Sequence, residues 1–292
     1  MISPLQKLSD PFLEARQLQV FMKRDDLLHP FISGNKWRKL QHNLAAAKAL
    51  GQHTLLTFGG AFSNHIHAVA AAGSEFGFRT IGIIRGESVM PLNATLSFAA
   101  EHGMQIHFIS RHEYRQKSNA SFISNLHRQF GEFYLLPEGG SNTLAVKGCA
   151  DIIQEINFSC DYLCCPVGTG ATMAGLIAGA QGKGRVLGFS VLKGIKDLEE
   201  KIAHFTSAFC GIEYSNWSVY HDYHFGGYAK LPATLKSFIE EFRQRQDILL
   251  DPVYTGKMMF GIYELAGKNF FPAGSTIIAI HTGGLQGWNG FV

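Results

Sequence analysis

One lysine in this chain lies where its amine would lose a proton easily. Lys36 follows the segment 33–35, Ser-Gly-Asn, whose residues commonly start helices, and apolar residues then recur at helical spacing over residues 37–44. The helix macrodipole disfavours a cation in the first turn, so Lys36 suits nucleophilic or Schiff-base chemistry. Considered alone, an ordinary first-turn lysine is the better explanation.

A glycine-rich turn follows the apolar run at residues 54–58. Its sequence, Gly-Gly-Ala-Phe-Ser-Asn-His at 59–65, precedes an alanine-rich helical pattern. The glycines permit a tight turn, and Ser63 and Asn64 would face any ligand at the helix N-terminus. Such a turn is a plain structural connection roughly half the time.

A second glycine-rich turn, residues 167–175, reads Val-Gly-Thr-Gly-Ala-Thr-Met-Ala-Gly. Its glycines expose backbone N–H groups, and Thr169 and Thr172 add hydroxyl donors, which together predict a phosphate cradle. The Gly-Lys-Ser/Thr of a Walker A loop is absent, and so is the third glycine of a dinucleotide fingerprint. Both absences disfavour a nucleotide-binding Rossmann-type protein.

Two further polar segments lie where a strand ends or a helix begins. They are Asp-Pro-Val-Tyr-Thr-Gly-Lys at 251–257 and Ile-His-Thr-Gly-Gly at 280–284, with a weaker aromatic loop at 225–228. Alone, these segments could be a helix cap with a packed tyrosine and a simple turn. Together with the Lys36 amine and a phosphate cradle, they predict a phosphorylated carbonyl cofactor, and pyridoxal phosphate fits.

The elements that would position these residues alternate between strand and helix. This pattern predicts an α/β fold with two lobes, each a mainly parallel open sheet with helices on both faces, and an active site in the cleft between them. We expect residues 40–139 to form the smaller lobe, and residues 1–39 and 140–292 the larger, cofactor-binding lobe. Single helices are predicted at 91–101, with Pro91 in the first turn, and at 111–130.

Composition excludes several classes of partner. The 292 residues carry a net charge of +3, which gives no global reason to expect nucleic acid. Five cysteines lack metal-binding spacing and thirteen histidines form no HExxH motif, so we expect no metal and reduced thiols. With no signal peptide or membrane-spanning run indicated, the expected location is cytoplasmic.

These motifs, in this order, also make the chain recognisable. It resembles the ACC deaminase/D-cysteine desulfhydrase family of fold type II (tryptophan synthase β-like) pyridoxal-phosphate enzymes, over essentially its whole length. The resemblance rests on residues 23–26 (Lys-Arg-Asp-Asp), 34–40 (Gly-Asn-Lys-Trp-Arg-Lys-Leu), 59–60 with 63–65, 168–170, 251–257 and 281–284.

The resemblance implies roles for particular residues. Lys36 would hold the cofactor as an internal aldimine and move protons at the substrate Cα. The implied cofactor-binding residues are Lys36, Asn64, Gly168, Thr169, Gly170, Ala171, Thr172, Thr255 and Thr282, with Asn64 on the phenolic oxygen, residues 168–172 on the phosphate and Thr282 near the pyridine nitrogen. The implied substrate-binding residues are Ser63, Asn64 and His65, and Ser63, Tyr254 and Tyr228 would join Lys36 as catalytic residues. The implied assembly is a homodimer.

The choice of reaction depends on a few positions. ACC deaminases typically have Glu where this chain has Thr255, and a hydroxyl stabilises a charged pyridinium less than a carboxylate does. We therefore favour β-elimination from a D-amino acid such as D-cysteine, giving pyruvate, ammonia and sulfide. The alternatives are ACC deamination to 2-oxobutanoate and ammonia, and a cofactor-carrying protein with little turnover. Phe62 and His67 replace the family's Gln and Arg, which leaves the substrate open.

Overall fold

The computed structural model describes residues 1–88 and 90–291, and their strands form two separate sheets. In sheet order, the larger sheet contains β1 (Leu5–Lys7), β2 (Gln19–Lys23), β10 (Thr276–Ile280), β7 (Tyr162–Val167), β8 (Arg185–Ser190) and β9 (Trp217–Tyr220). The β1–β2 pair is antiparallel, and the other neighbouring pairs are parallel. Parallel neighbours need crossover connections, which helices provide here.

The smaller sheet is parallel throughout. In sheet order it contains β5 (Met104–Ile109), β4 (Arg79–Arg85), β3 (Thr54–Gly60) and β6 (Tyr134–Leu136). Every residue of β3 except its last is buried, which explains why its sequence is a continuous apolar run rather than an alternating one.

Eleven α-helices among the described residues connect and cover these strands. They are α1 (Pro11–Glu14), α2 (Asn35–Ala49), α3 (Asn64–Phe76), α4 (Ala94–Glu101), α5 (Arg111–Tyr114), α6 (Ala120–Phe130), α7 (Thr143–Gln154), α8 (Ala171–Ala180), α9 (Leu198–Cys210), α10 (Ala233–Gln246) and α11 (Thr255–Gly267). Their caps are mostly the polar residues expected from sequence, such as Ser63 before α3 and Asn142 before α7.

Alternate residues of β10 show how helices cover both faces of the larger sheet. Ile277 packs in one core cluster with Ile239 of α10 and Met258 of α11, whereas Ile278 packs in another with Leu176 of α8. This two-sided burial is the arrangement expected of a parallel sheet. The predicted α/β class with mainly parallel sheets between helices is confirmed, while the lobe boundaries stay a prediction.

The predicted bounds of two helices were wrong. The helix predicted from Pro91 begins at Ala94 instead, because the side chain of Asn93 accepts a hydrogen bond from the Leu96 N–H (3.0 Å) and caps the helix there. Pro91 lies outside the helix.

The helix predicted over residues 111–130 is interrupted after Tyr114. The Tyr114 side chain turns inward, where its ring meets Phe58 edge-on at 6.1 Å and its hydroxyl donates to Glu138 (2.9 Å). A new helix then begins after Asn119. Burial of Tyr114 against the smaller sheet therefore outweighs the helical propensity of the segment.

Within residues 1–88 and 90–291, no helix is long and apolar enough to span a bilayer. The same residues contain no group of three or more His, Cys, Asp or Glu side chains placed to hold a metal ion. Cys149, Cys164 and Cys165 are buried thiols, and Cys160 and Cys210 are half-buried.

Candidate active site

Lys36 is the second residue of α2, and the start of that helix is pressed against the end of β10. Gly34, which precedes the helix, has φ +65°, and a Cβ there would lie 2.0 Å from the Thr282 carbonyl oxygen. The Asn35 N–H donates to that same oxygen at 3.2 Å. Only glycine can fit at position 34, and this contact fixes Lys36 relative to Thr282.

The Lys36 amine is poised to lose its proton. Burial, with a smaller contribution from the charge of Lys39, lowers its pKa from 10.5 to about 7. Its Nζ donates to Asn35 Oδ1 at 3.1 Å, and no carboxylate lies within ion-pair distance of it among the described residues. About half of these amines are therefore neutral near pH 7, which is the form that attacks a carbonyl carbon.

A buried ion pair anchors α2 on the side away from this site. Arg38 donates to the Asp25 carboxylate through Nε (3.0 Å) and Nη2 (2.9 Å), and both side chains are almost fully buried. Arg38 also pairs with Glu155 at the end of α7, which lowers the pKa of that carboxyl to about 2 in spite of desolvation. The Lys-Arg-Asp-Asp motif thus helps to hold the helix that carries Lys36.

Hydroxyl groups and a lysine surround the turn before α8. Gly170 precedes that helix with φ +91°, and Thr169 Oγ1 lies 2.7 Å from Ser141 Oγ. Lys39 Nζ donates to the Gly139 carbonyl (3.1 Å) and lies 3.3 Å from Ser141 Oγ and 3.5 Å from Thr169 Oγ1. A cation, two hydroxyls and a helix N-terminus form the donor set that a phosphate requires.

A hydrogen bond joins the start of α2, which carries Lys36, to the first turn of α8. Asn35 Nδ2 donates to Thr172 Oγ1 at 3.0 Å, so the first turns of α2 and α8 meet. On the other side of the turn, a Cβ on Gly168 would lie 3.3 Å from the ring of Tyr254. Ala171 is buried within α8. The residues predicted to hold a phosphate are thus adjacent to Lys36 and Tyr254.

Ser63 precedes α3 and Asn64 is its first residue, close to the segment after β10, where a Cβ on Gly284 would lie 2.5 Å from Asn64 Nδ2. The Ser63 hydroxyl accepts from the N–H groups of His65 (3.2 Å) and Ile66 (3.3 Å), so it serves as a helix cap. Asn64 Oδ1 accepts from Gln286 Nε2 at 3.1 Å. In this orientation the Asn64 Nδ2 group can donate to a ligand oxygen.

His65 is held in one tautomer by its neighbours. The Thr57 hydroxyl donates to the Leu136 carbonyl (2.9 Å), so it accepts from His65 Nε2 (2.8 Å). Nδ1 then carries the lone pair, and it is buried without a hydrogen-bond partner among the described residues. Burial, followed by the charge of Lys36, keeps the pKa of His65 well below its usual value. Its substrate-binding role stays a prediction.

Asp251 organises the start of α11. Its buried carboxylate accepts hydrogen bonds from the backbone N–H groups of Val253 (2.9 Å), Tyr254 (2.8 Å) and Thr255 (2.6 Å). The Thr255 hydroxyl also donates to it at 2.8 Å. Burial raises the pKa of Asp251 even though these four bonds favour the carboxylate. Thr255 is fully buried, and its hydroxyl proton is committed to Asp251.

Tyr254 and Tyr228 form an aromatic pair at the edge of the site. Their ring centroids are 6.0 Å apart, and the rings meet edge-on at 75°. Burial raises the pKa of both hydroxyls, that of Tyr254 far above its usual value. Both tyrosines are therefore proton donors at neutral pH.

The donor set matches a phosphorylated aldehyde such as pyridoxal phosphate. It offers a poised amine at Lys36, a phosphate cradle, and an amide donor at Asn64. A family model described as pyridoxal-phosphate dependent enzyme matches residues 2–283. The chain belongs to this family. Pyridoxal phosphate is accordingly its cofactor, and the resemblance inferred from the motifs is confirmed.

Relatives within this family have two named activities. The D-cysteine desulfhydrase of Serratia proteamaculans is 27% identical, with 97% of this chain and 91% of that protein covered. The 1-aminocyclopropane-1-carboxylate deaminase of Rhizobium leguminosarum is 28% identical, with 94% and 89% covered. The crystal structure of an ACC deaminase homologue superposes with a TM-score of 0.86 at 28% identity, over 98% of this chain and 90% of that one. This chain is thus an enzyme of the ACC deaminase/D-cysteine desulfhydrase group.

Sequence reasoning did not single out four side chains that contact the predicted residues of this candidate site. They are Lys39, Ser141, Asp251 and Gln286. For Lys39 a signal was available, because a residue three positions after Lys36 lies on the same face of a helix. Nothing in the local sequence marks Ser141, whose importance comes from its contact with Thr169 across the fold.

Phe62 and His67, which stand where the family has Gln and Arg, lie in different surroundings. The His67 ring stacks on Phe98 with centroids 3.7 Å apart, and Nδ1 lies 3.2 Å from the Phe31 carbonyl oxygen. Burial lowers the pKa of His67 to about 4, so it is neutral near pH 7. Phe62, in contrast, is 56% exposed, and it lines a cavity that Asn64 also lines.

Proposed function

We propose that the enzyme catalyses β-elimination from D-cysteine, giving pyruvate, ammonia and sulfide. The observation that carries this choice is the state of Thr255, which is buried, uncharged and already donating its proton to Asp251. A carboxylate at this position would favour a protonated pyridine ring and a stronger electron sink. Loss of a sulfur leaving group after Cα deprotonation makes less demand on the ring than opening a cyclopropane does.

The cofactor's anchoring follows from the groups around the α8 turn. Lys39, Ser141, Thr169 and Thr172, with the backbone N–H groups of residues 168–172, would hold the phosphate. Asn64 Nδ2 would donate to the phenolic oxygen, and Thr255 and Thr282 would lie near the pyridine nitrogen. Lys36 Nζ would hold the cofactor covalently. When bound in this way, pyridoxal phosphate withdraws electrons from the substrate Cα and so acidifies its proton.

The chain's own side chains would then move the protons. The free Lys36 amine, whose pKa burial lowers to about 7, would be suited to accept the substrate Cα proton. Tyr254 and Tyr228 stay protonated, so either hydroxyl can protonate a departing sulfur. The N-terminus of α3, including Ser63, would bind the substrate carboxylate.

The second candidate is deamination of ACC to 2-oxobutanoate and ammonia. Several relatives are named for this reaction, among them the Rhizobium leguminosarum enzyme, which favours it as the alternative. The same lysine, cradle and tyrosines would serve it, so only the groups around the ring and substrate distinguish the two reactions. A carrier with little turnover is the remaining alternative. We further propose a homodimer located in the cytoplasm.

A product assay on the purified, cofactor-loaded protein separates these activities. D-Cysteine, L-cysteine and ACC would be supplied in turn, and sulfide, pyruvate and 2-oxobutanoate would be measured. We expect sulfide and pyruvate from D-cysteine and little 2-oxobutanoate from ACC. Release of 2-oxobutanoate from ACC without sulfide from D-cysteine would establish the second candidate instead. An intact lysine-bound cofactor without product from any substrate would favour the carrier.

Two variants test the residue assignments. Lys36→Ala should abolish the absorption band of the lysine-bound cofactor, whereas Lys48→Ala, an exposed lysine on the same helix, should keep it. Thr255→Glu should shift that band and raise the ratio of ACC to D-cysteine turnover. A Thr255→Glu protein with an unchanged spectrum would show that this residue lies away from the ring.

A further inference from the structure

A small cavity opens beside Asn64 and Tyr228, at the edge of the proposed site. Its volume is about 110 Å³, and its walls include Phe62, Ala94, Val253 and Phe291. These walls come from the loop after β3, the start of α4, the segment before α11 and the C-terminal turn. The hydrogen bond from Gln286 to Asn64 holds that turn against the site.

The walls of this cavity select for an uncharged occupant. None of its twelve lining residues among the described part of the chain carries a charge. The phenyl ring of Phe62 is 56% exposed, a large apolar surface that an occupant could cover. Moving a charged group into such surroundings without a partner is costly, whereas burying methylene groups is favourable.

We propose that this cavity binds an uncharged apolar substituent on the sulfur of the substrate, so that S-alkyl-D-cysteines are better substrates than D-cysteine itself. This inference rests on the proposed β-elimination. The Cβ–S bond would break, the sulfur would leave with a proton as the thiol RSH, and the remaining aminoacrylate would hydrolyse with one water to pyruvate and ammonium. No oxidant or reductant is required.

The size of the cavity sets the range of substituents. It is smaller than the roughly 150 Å³ cavity that holds benzene in another protein. A methyl to propyl group therefore fits, and a benzyl group does not. Each buried methylene should raise affinity about fourfold, the equivalent of about 0.8 kcal/mol. From S-methyl to S-propyl, two methylenes, the expected gain in kcat/KM is about 15-fold.

The kinetic test compares a series of D-cysteines on the cofactor-loaded enzyme. S-Methyl, S-propyl, S-benzyl and S-carboxymethyl derivatives would be assayed for pyruvate alongside D-cysteine. We expect kcat/KM to rise to S-propyl and to fall for the benzyl and the charged carboxymethyl compounds. Equal or declining values from D-cysteine to S-propyl-D-cysteine would overturn the proposal.

A binding measurement separates this proposal from the proposed reaction. D-Norvaline and D-2-aminoheptanoate are the carbon analogues of S-methyl- and S-propyl-D-cysteine, and D-glutamate is a charged analogue of D-norvaline. None of the three has a leaving group, so calorimetric titration of the loaded enzyme reports binding without elimination. D-2-Aminoheptanoate should bind about 15-fold more tightly than D-norvaline, and D-glutamate more weakly than D-norvaline. If this order holds while no D-cysteine is eliminated, the proposed reaction fails and the cavity's preference stands. If elimination occurs and the order is absent, the cavity proposal fails alone.

Phe62 provides the matched variant. Phe62→Gln should reduce the D-2-aminoheptanoate over D-norvaline preference severalfold, because the ring covers the apolar chain. Phe158→Gln makes the same chemical change at another partly exposed phenylalanine, which packs on Phe21 outside this cavity, and should leave the preference unchanged. An unaltered preference in Phe62→Gln would remove Phe62 from the proposal.

Discussion

Replacing Gly34 by alanine should disrupt the start of α2 and with it the position of Lys36. Two effects add at this position. The backbone has φ +65° and ψ −139°, a combination that residues with a Cβ rarely adopt, and holding a Cβ in such a region costs about 1–3 kcal/mol. The added Cβ would also lie 2.0 Å from the Thr282 carbonyl oxygen and 2.5 Å from the Gly283 nitrogen, which are backbone atoms that cannot rotate away. Relieving such overpacking costs about 1–3 kcal/mol more.

Gly51 is a matched control at the other end of the same helix. It also has φ +65°, but a Cβ there meets nothing within 4 Å. Gly51→Ala should therefore lose only about 1–2 kcal/mol of unfolding free energy, and Gly34→Ala about 2–6 kcal/mol. Urea denaturation of both variants, with the cofactor absorption band followed in parallel, measures the difference.

The two measurements also separate the site from general stability. Gly34→Ala should weaken the cofactor band under conditions where the protein is still folded, because Lys36 is two residues away, and Gly51→Ala should not. Equal destabilisation of the two variants, with equal cofactor bands, would refute the contact between the start of α2 and the end of β10.

Three further predictions concern groups around Lys36. The rate at which the apoprotein binds pyridoxal phosphate covalently should rise with pH through about 7 and then level off. The reason is that burial lowers the pKa of Lys36 to about 7 and the neutral amine is the form that reacts. Stopped-flow absorbance measures this rate, and a midpoint near pH 10 would contradict the prediction. Lys39→Met should weaken cofactor binding about 10- to 100-fold in equilibrium dialysis, through loss of one charge-assisted hydrogen bond, whereas Lys48→Met should not change it. Asp251→Asn should lower the unfolding free energy by about 1.5–3 kcal/mol in urea, since its carboxylate accepts four hydrogen bonds; stability equal to that of the parent protein would count against that arrangement.

The sequence predicts those parts of the fold in which local and tertiary signals agree. The alanine-rich helical pattern predicted after the first glycine-rich turn is α3, which Ser63 caps and Gly77 ends in the left-handed conformation. The strands β1 and β9 were missed because both lie at edges of the larger sheet, where short, half-buried segments carry little apolar pattern. Tyr114 shows the opposite case, in which a single buried contact interrupts a helical pattern.

The residues of the candidate site could be predicted only in part from the sequence. Strand ends and helix starts mark Asn64 and Thr169, because the carboxyl ends of parallel strands meet at one edge. The contact of Lys39 with Ser141 joins two segments that are 102 residues apart, which no local pattern shows. The hydrogen bond from Thr255 to Asp251 lies within one segment, but it depends on how the chain turns into α11. His67 stands where the family has Arg, but burial restricts its charge to below about pH 4, which the sequence alone does not show.

The most direct test of the proposed Lys36-dependent elimination is to measure the products that the cofactor-loaded enzyme forms from D-cysteine. Sulfide and pyruvate would be quantified together, with Lys36→Ala as the variant that lacks the reacting amine and Lys48→Ala as its control. We expect one sulfide for each pyruvate, both from the parent protein and from Lys48→Ala, and neither product from Lys36→Ala. Sulfide production that survives in Lys36→Ala would contradict the proposed role of Lys36. A parent protein that deaminates ACC but releases no sulfide from D-cysteine would contradict the proposed β-elimination.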